Sequence, residues 1–482
     1  MATPIPSNTA RFSIEEVASA TGGTLRNVSA PLTVDGVTTD SRGDARGKLF
    51  VALTGEHFDG HRFAADARGA GAAALLVRRG AVIDGSGPVV EVDDTLVALG
   101  ALARLHRKRW GGTVVAVAGS AGKTTTRSAI AAALEAVAPS AVHSVPGNLN
   151  NRVGVPMVLL GLESRHGIAV VEIGTNQRGE VRELTAIAAP NVGVLTLVDV
   201  EHAEGLGTLD DIENEEGDLL RGLPKNGSAI ANGDDPRVVH QLVGAAAKRK
   251  ITYGTRGAVD YRIERRETVG LEGSRITIER PRGRSRETIH LEVPLLGLPG
   301  ALAVAAAVAV ADRVAARTVP IDRLASALQS RALGEPGRLR PVELSDGTIV
   351  LDDSYNANPA SIRAAVATAR ELADDRAARL VLVLGEMREL GAAAREEHDA
   401  VGRDVAASGA ASLVAVGGDA TRFVAPALAA GIDAVFAVDA DHAVSEVLAR
   451  VREGDVVLVK ASRGVRAERV VEALVSAKGR AA

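Results

Sequence analysis

The sequence predicts an α/β protein of three domains, and three observations carry that expectation. The chain runs to 482 residues, enough for about three domains of ordinary size. Its texture changes twice, at the pair Gly111-Gly112 and again in the Gly- and Pro-rich stretch RALGEPGRLRP at 331–341. Between and beyond those breaks, short apolar runs alternate with helical stretches, the rhythm of parallel strands flanked by helices. The blocks are 1–110, 111–333 and 334–482.

The first block holds short β-like segments broken by turn residues, as in TVDGVTTDSRGDARGKLFVALTG at 33–55. It closes with a helix, DTLVALGALARLHRKRW, and reads as a smaller α/β domain; Gly111-Gly112 would follow as a hinge. The second block opens on a buried strand, TVVAVAG at 113–119, then a helix, KTTTRSAIAAALEAV. IAVVEIG at 168–174 and VGVLTLVDV at 192–200 supply further strands, so a central parallel sheet is expected. Residues 208–220, TLDDIENEEGDLL, read as a helix capped by Thr208 and Asp211. Its apolar stripe, Leu209, Ile212, Leu219 and Leu220, needs one more member near 216, where the chain has Glu216. A lone carboxylate there is most simply explained by a slight roll that carries it to water. In the third block GTIVLDDS, RLVLVLGEM, ASLVAVGG, DAVFAVDA and DVVLVKAS alternate with alanine-rich helices, a Rossmann-like pattern.

Bulk properties exclude several functions. With 56 basic and 60 acidic residues, net charge −4, there is no electrostatic case for nucleic acid or an anionic membrane. The absence of cysteine excludes disulfides, thiolate metal sites and cysteine nucleophiles. The N-terminus lacks a basic segment followed by an apolar run, and ALAVAAAVAVA at 301–311 is too short and alanine-rich to span a bilayer. A cytoplasmic protein is expected. Histidines near 57–63 show no metal spacing.

The strongest motif is AVAGSAGKTTT at 116–126. A strand feeds a glycine loop and a helix then opens on Lys-Thr, which aims backbone N–H groups of Gly119, Ser120, Ala121 and Gly122 at phosphate. Lys123 would meet the outer phosphates and Thr124 a Mg²⁺, with Thr125 beside them. The strict pattern wants glycine where this chain has Val117. Glu172 and His202 stand at or just beyond neighbouring strand ends, where ligands of α/β sheets collect. With the phosphate loop they suggest a metal or catalytic site. In LDDSYNANPAS, Asp353 could bind ribose hydroxyls, or the segment is a polar turn ending in Pro359.

GSAGKTT at 119–125, VPGNLNNRVGVP at 145–156, VVEIGTNQRGEV at 170–181 and EHAEGLGTLDD at 201–211 resemble the Mur ligases. DDSYNANP at 352–359, LGEMRELG at 384–391 and VLVKASRGVRAERVVEAL at 457–474 resemble one branch of that family, and 38–67 is similar to its UDP-recognition domain. The resemblance implies an N-terminal domain for the UDP end of a sugar-peptide, a central P-loop ATPase domain, and a C-terminal domain that receives an incoming dipeptide. It implies that ATP phosphorylates the terminal carboxylate of UDP-MurNAc-tripeptide and that the amine of D-Ala-D-Ala attacks the acyl phosphate. The expected partners are these small molecules, with no nucleic acid or membrane, and the expected state is a monomer. By the same resemblance Glu172 and His202 are metal-side residues, and Asp353 and Asn356 nucleotide contacts. Ser41 and Arg42 lie near the uridine diphosphate. Asn148, Asn151, Arg338 and Asn358 are expected at the substrate.

Three positions depart from the family pattern. Pro299-Gly300 stand where a His-Asn pair reads adenine, and Gln177 stands where histidine is usual. Glu216 aligns with a lysine that becomes carbamylated and faces Mg²⁺. A glutamate carries that negative charge unmodified, so Glu216 is expected at the metal. Two rival readings remain: a Mur ligase adding a different amino acid, and a diverged paralogue that binds nucleotide or UDP-sugar without ligating.

Overall fold

The alternating apolar runs settle into three large sheets, with two two-stranded pairs beside them among the described residues. The computed structural model describes residues 4–55, 58–83, 86–330 and 333–481. The first sheet has five strands, in the order Thr24–Arg26, Val89–Val92, Ala74–Arg78, Leu49–Val51, Val37–Thr38; all but the first run parallel. Helix Thr95–Trp110 closes this region, started by Asp94, whose carboxylate accepts from the Leu96 and Val97 N–H groups. Gly111 stops it in a left-handed C-cap, φ 73°. A Cβ on Gly112 would meet the Trp110 ring at 2.5 Å. The expected hinge is therefore a helix stop packed under a tryptophan. His57 lies outside the described residues. His61 is tied to Asp59 at 2.6 Å and accepts the Arg78 N–H, a structural arrangement.

The central sheet has nine strands: Val142–His143, Ile168–Glu172, Thr113–Ala118, Val192–Leu195, Ser228–Asn232, Arg249–Gly254, Tyr261–Thr268, Ser274–Arg282, Ser285–Val293. The first seven run parallel and the last two add antiparallel. The added strands alternate buried and exposed residues, the signature of a sheet wet on one face. Buried Arg280 fastens them, pairing with Glu287 at 2.9 Å and with Asp312 at 3.2 Å. Asp312 belongs to helix Gly297–Ala315, which is longer than the apolar run at 301–311. By length and apolarity it could cross a membrane, but 67% of its most apolar window is buried inside the protein. It packs on helix Lys123–Glu135.

Helix Leu209–Arg221 starts with the expected capping box of Thr208 and Asp211. Four of its acidic side chains are buried, and each has partners of its own. Glu213 takes Arg237 at 2.6 Å and Gln241 at 2.8 Å. Glu215 accepts the N–H groups of Gly179 and Val181, at 2.7 and 2.8 Å. Glu216 accepts that of Gly119 at 2.7 Å. Asp218 pairs with Arg182 and Arg221, at 3.1 and 2.9 Å.

The third sheet has six strands: Arg340–Glu343, Ile349–Asp353, Val456–Lys460, Leu380–Gly385, Ser412–Val416, Asp433–Ala437, parallel except for the first. Residues 331 and 332 of the expected linker lie outside the described residues. Helix Pro359–Asp375 lies against the start of Gly297–Ala315 so closely that a Cβ on Gly297 would meet the Thr368 hydroxyl at 2.1 Å.

Candidate active site

The parallel strands of the second and third sheets deliver their carboxyl ends to a shared cavity of about 1290 Å³. The phosphate loop lies on its floor. Gly119 has φ 127°, and a Cβ there would meet the Thr196 hydroxyl at 2.3 Å. That hydroxyl props the loop by donating to the carbonyls of Ala118 and Ala121, at 3.1 and 2.6 Å. Ser120 is held too: its N–H reaches the Leu197 carbonyl at 2.7 Å, and its Oγ accepts the Asp199 N–H at 3.0 Å. The loop is shaped before any ligand arrives.

Lys123 donates to the Gly119 carbonyl and, at 3.2 Å, to Glu201. Burial pulls its pKa down, but Glu201, Glu216 and Glu172 outweigh that and raise it, so the ammonium stays charged. Thr124 is buried on the cavity wall. Glu172 ends its strand and is 4% exposed. Its Oε1 accepts from Asn150 Nδ2 at 2.8 Å; its Oε2 lies 3.5 Å from Arg127 Nε with no hydrogen bond. His202 sits in a left-handed turn, φ 46°, and pairs through Nδ1 with Glu389 from the third sheet's region.

Glu216 points inward, fully buried, and helical roll does not carry it to water. It is not among the residues lining the cavity; it grips Gly119 from behind the loop. Its Oε1 receives no hydrogen bond. Burial pushes its pKa up to about 8, with Lys123 opposing and Glu201 adding to the rise.

From the third sheet come Asp353 and Lys460, 2.7 Å apart; Lys460 also donates to the Asn356 carbonyl at 2.9 Å. The Arg338 guanidinium lies 4.0 Å over the Tyr355 ring. Asn358 caps helix Pro359–Asp375 and donates from Nδ2 to the Ser120 carbonyl at 3.1 Å, so it joins the two walls. Asn148 and Asn151 also line the cavity, and Asn151 Oδ1 caps the turn at Gly154 at 2.8 Å.

The cavity thus gathers 120–125 of the phosphate loop, Glu172, His202, Asn148, Asn151, Arg338, Asp353, Asn356 and Asn358. Gly119 does not line it, and the N–H groups of Gly119 and Ser120 are taken by Glu216 and the Leu197 carbonyl rather than aimed at phosphate. It does not gather Ser41 and Arg42. Arg42 is exposed and folds onto Asp40, at 2.9 and 2.7 Å, in the first domain. Sequence reasoning passed over Arg127, Asn150, Glu201, Glu389 and Lys460. Lys460 carries the signal that exposed Glu172, a charge ending an apolar strand.

Among the described residues, no three His, Cys, Asp or Glu side chains stand together as a closed metal cluster. Mg²⁺ does not require one, because it keeps waters and takes phosphate oxygens with one or two carboxylates. The undonated oxygen of Glu172, buried on the cavity wall with Thr124 and the phosphate loop, fits such an ion, whereas Glu216 lies behind the loop and off that wall.

Three family models match in order: the Mur ligase family catalytic domain at 33–110, the Mur ligase middle domain at 117–311, and the Mur ligase glutamate ligase domain at 337–463. The chain is 35% identical over 447 residues to the UDP-N-acetylmuramoyl-tripeptide–D-alanyl-D-alanine ligase of Escherichia coli strain K12, covering 92% of this chain and 94% of that one. It superposes on a crystal structure of MurF from Acinetobacter baumannii with TM-score 0.83 at 28% identity, covering 98% and 100%. A MurF ligase from Thermotoga maritima in complex with ADP gives TM-score 0.76 at 28% identity, covering 91% and 97%.

Proposed function

Because the chain belongs to the Mur ligase family, we infer that it performs that family's ATP-dependent peptide ligation. It is an ADP-forming ligase that joins D-alanyl-D-alanine to UDP-N-acetylmuramoyl-tripeptide, yielding the pentapeptide precursor of peptidoglycan. The observation that carries the chemistry is a preshaped phosphate loop facing an underbonded, buried carboxylate across a cavity shared by two domains.

Two anions must meet, the substrate carboxylate and the terminal phosphate of ATP. The carboxylate oxygen bonds to phosphorus and ADP leaves; the dipeptide amine then bonds to the acyl carbon, phosphate leaves, and the nitrogen gives up a proton to become the amide. The barrier falls mainly through positioning and charge neutralisation. Loop N–H groups and Lys123 bind the phosphates, Lys123 exchanging its contacts to Gly119 and Glu201 for phosphate oxygens. Bound Mg²⁺ supplies further neutralisation of phosphate charge. Thr124, Glu172, His202 and Glu216 are the residues we assign to it, Glu216 acting from behind the loop. Asp353, tied to Lys460, and Asn356 are assigned to the nucleotide. Asn148, Asn151, Arg338 and Asn358 are assigned to the acyl substrate and the closure around it. Ser41 and Arg42 are assigned to the uridine diphosphate.

We assign 1–110 to UDP-sugar-peptide recognition, 111–333 to ATP and 334–482 to ligation. The use of ATP supports a cytoplasmic location, and small-molecule substrates suit a monomer. Phosphate release with UDP-MurNAc-tripeptide, ATP and D-Ala-D-Ala tests the reading. Release only with another amino acid, or none at all, would overturn it.

A further inference from the structure

Arg127 sits one turn into the helix that follows the phosphate loop and is 3% exposed. Two carboxylates compete for it. Glu335, from the stretch between the second and third sheets, bonds to its Nη2 and also accepts the Gly147 N–H at 3.1 Å. Nη1 is engaged by the Val145 carbonyl at 2.6 Å and by Ser144 at 3.2 Å. Only Nε faces Glu172, at 3.5 Å, and both that nitrogen and Glu172 Oε2 go without a hydrogen bond. A void of about 10 Å³ bounded by Arg127, Gly147 and Glu172 lies beside them. It is marginal even for one water. A buried guanidinium this close to a buried carboxylate would normally close to a bidentate pair. Here its other two nitrogens are held elsewhere, and the pair stays open.

We propose that Glu335 is a positioning residue: by holding Arg127 back and balancing its charge, it keeps the Glu172 carboxylate open to the metal–nucleotide. The inference rests on the assignment of Glu172 to the metal. It also gives the interdomain connection a hand in the ATP site, since Glu335 lies in that connection and its second oxygen fixes the start of the loop carrying Asn148, Asn150 and Asn151. Without Glu335, Arg127 is free to pair with Glu172, and an uncompensated positive charge faces any arriving cation.

The test is calorimetric binding of ADP to the full chain, with Mg²⁺ varied and no acyl substrate present. Glu335→Gln preserves shape and can still accept the Gly147 N–H, so it should fold, as a melting curve checks. The expected result is a Mg²⁺ half-saturation raised about five-fold, with metal-free ADP binding unchanged. Glu335→Asp, which keeps the charge, should stay near wild type. Adding Arg127→Gln to Glu335→Gln should restore Mg²⁺ affinity, because the competitor is gone. Glu172→Gln should remove most of the Mg²⁺ effect. If Glu172→Gln does so while Glu335→Gln matches wild type, the proposal falls and the Glu172 assignment stands. If Glu172→Gln matches wild type, both fall. Aspartate behaving like glutamine, or a double variant no better than the single, also overturns the proposal.

Discussion

Glu172 and Asp353 hold matching places in two domains of similar design. Each ends an apolar strand, each is buried, and each borders the same cavity. Their surroundings differ. Asp353 is saturated, with the Lys460 ammonium at 2.7 Å on one oxygen and the Leu339 N–H at 3.1 Å on the other. Glu172 has one firm donor, Asn150, and one oxygen with none. A saturated buried carboxylate holds structure together, whereas an undersupplied one implies a partner still to come. On the assignments made above, Glu172 serves turnover, while Asp353, beyond its place at the nucleotide, is also expected to carry stability.

The most direct attack on that division replaces each in turn. Asp353→Asn leaves Lys460 buried and unpaired and should cost about 3–5 kcal/mol of stability, read from denaturant midpoints. Glu172→Gln should leave stability within about 1 kcal/mol while phosphate release collapses. Equal losses of stability in the two variants would erase the contrast.

Lys123 is assigned with Glu172 to turnover. Lys123→Ala should lower phosphate release by about 10²–10³-fold, the cost of removing a donor aimed at developing charge. Binding of the UDP-sugar-peptide should persist, because it is assigned to another domain. Near-normal turnover would move the ATP site elsewhere.

Glu216 sharpens the comparison, being held firmly at one oxygen and left bare at the other. Burial first, then Glu201, push its pKa up to about 8 against the pull of Lys123. The folded chain thus holds this proton more tightly than the unfolded one. The stability it confers is complete below the ordinary glutamate range and is lost as pH rises through about 8. Glu216→Gln should flatten the fall in melting temperature from about pH 6 to about pH 9. An unchanged slope would show that another group titrates. Removing bicarbonate should not affect the wild type, since a glutamate needs no carbamylation.

The smallest effect concerns the base. Pro299 and Gly300 line the cavity with no side-chain amide. Preference for ATP over GTP should then be only several-fold in kcat/KM, about 1 kcal/mol for one missing hydrogen bond. A preference of several orders of magnitude would identify a different reader.

Much of this was legible in the chain. The glycine loop, the charges at strand ends and the inward glutamate follow from local period and motif. The antiparallel extension at 274–293 was not: its exposed faces are so rich in Arg and Glu that its apolar period is diluted. Glu201 reads as one more charge in an acidic loop until Lys123 is seen beside it. Contacts such as Asn358 to Ser120, His202 to Glu389 and Arg127 to Glu335 join residues about two hundred positions apart, and no local pattern encodes them.

Helix Leu209–Arg221 has one more consequence, visible on the time scale of amide exchange. The N–H of Gly119 lies in the phosphate loop and those of Gly179 and Val181 at the start of helix Glu180–Ala188, yet all three end on carboxylates of this one helix. None can meet solvent deuterium through a movement of its own segment alone while that acceptor stays in place. Their protection should therefore follow a single opening event, the fraying or displacement of the helix. Thr208→Ala, which removes the cap some distance from all three, should speed their exchange by one common factor. Part of the phosphate loop's rigidity is thus set by a helix that does not line the cavity.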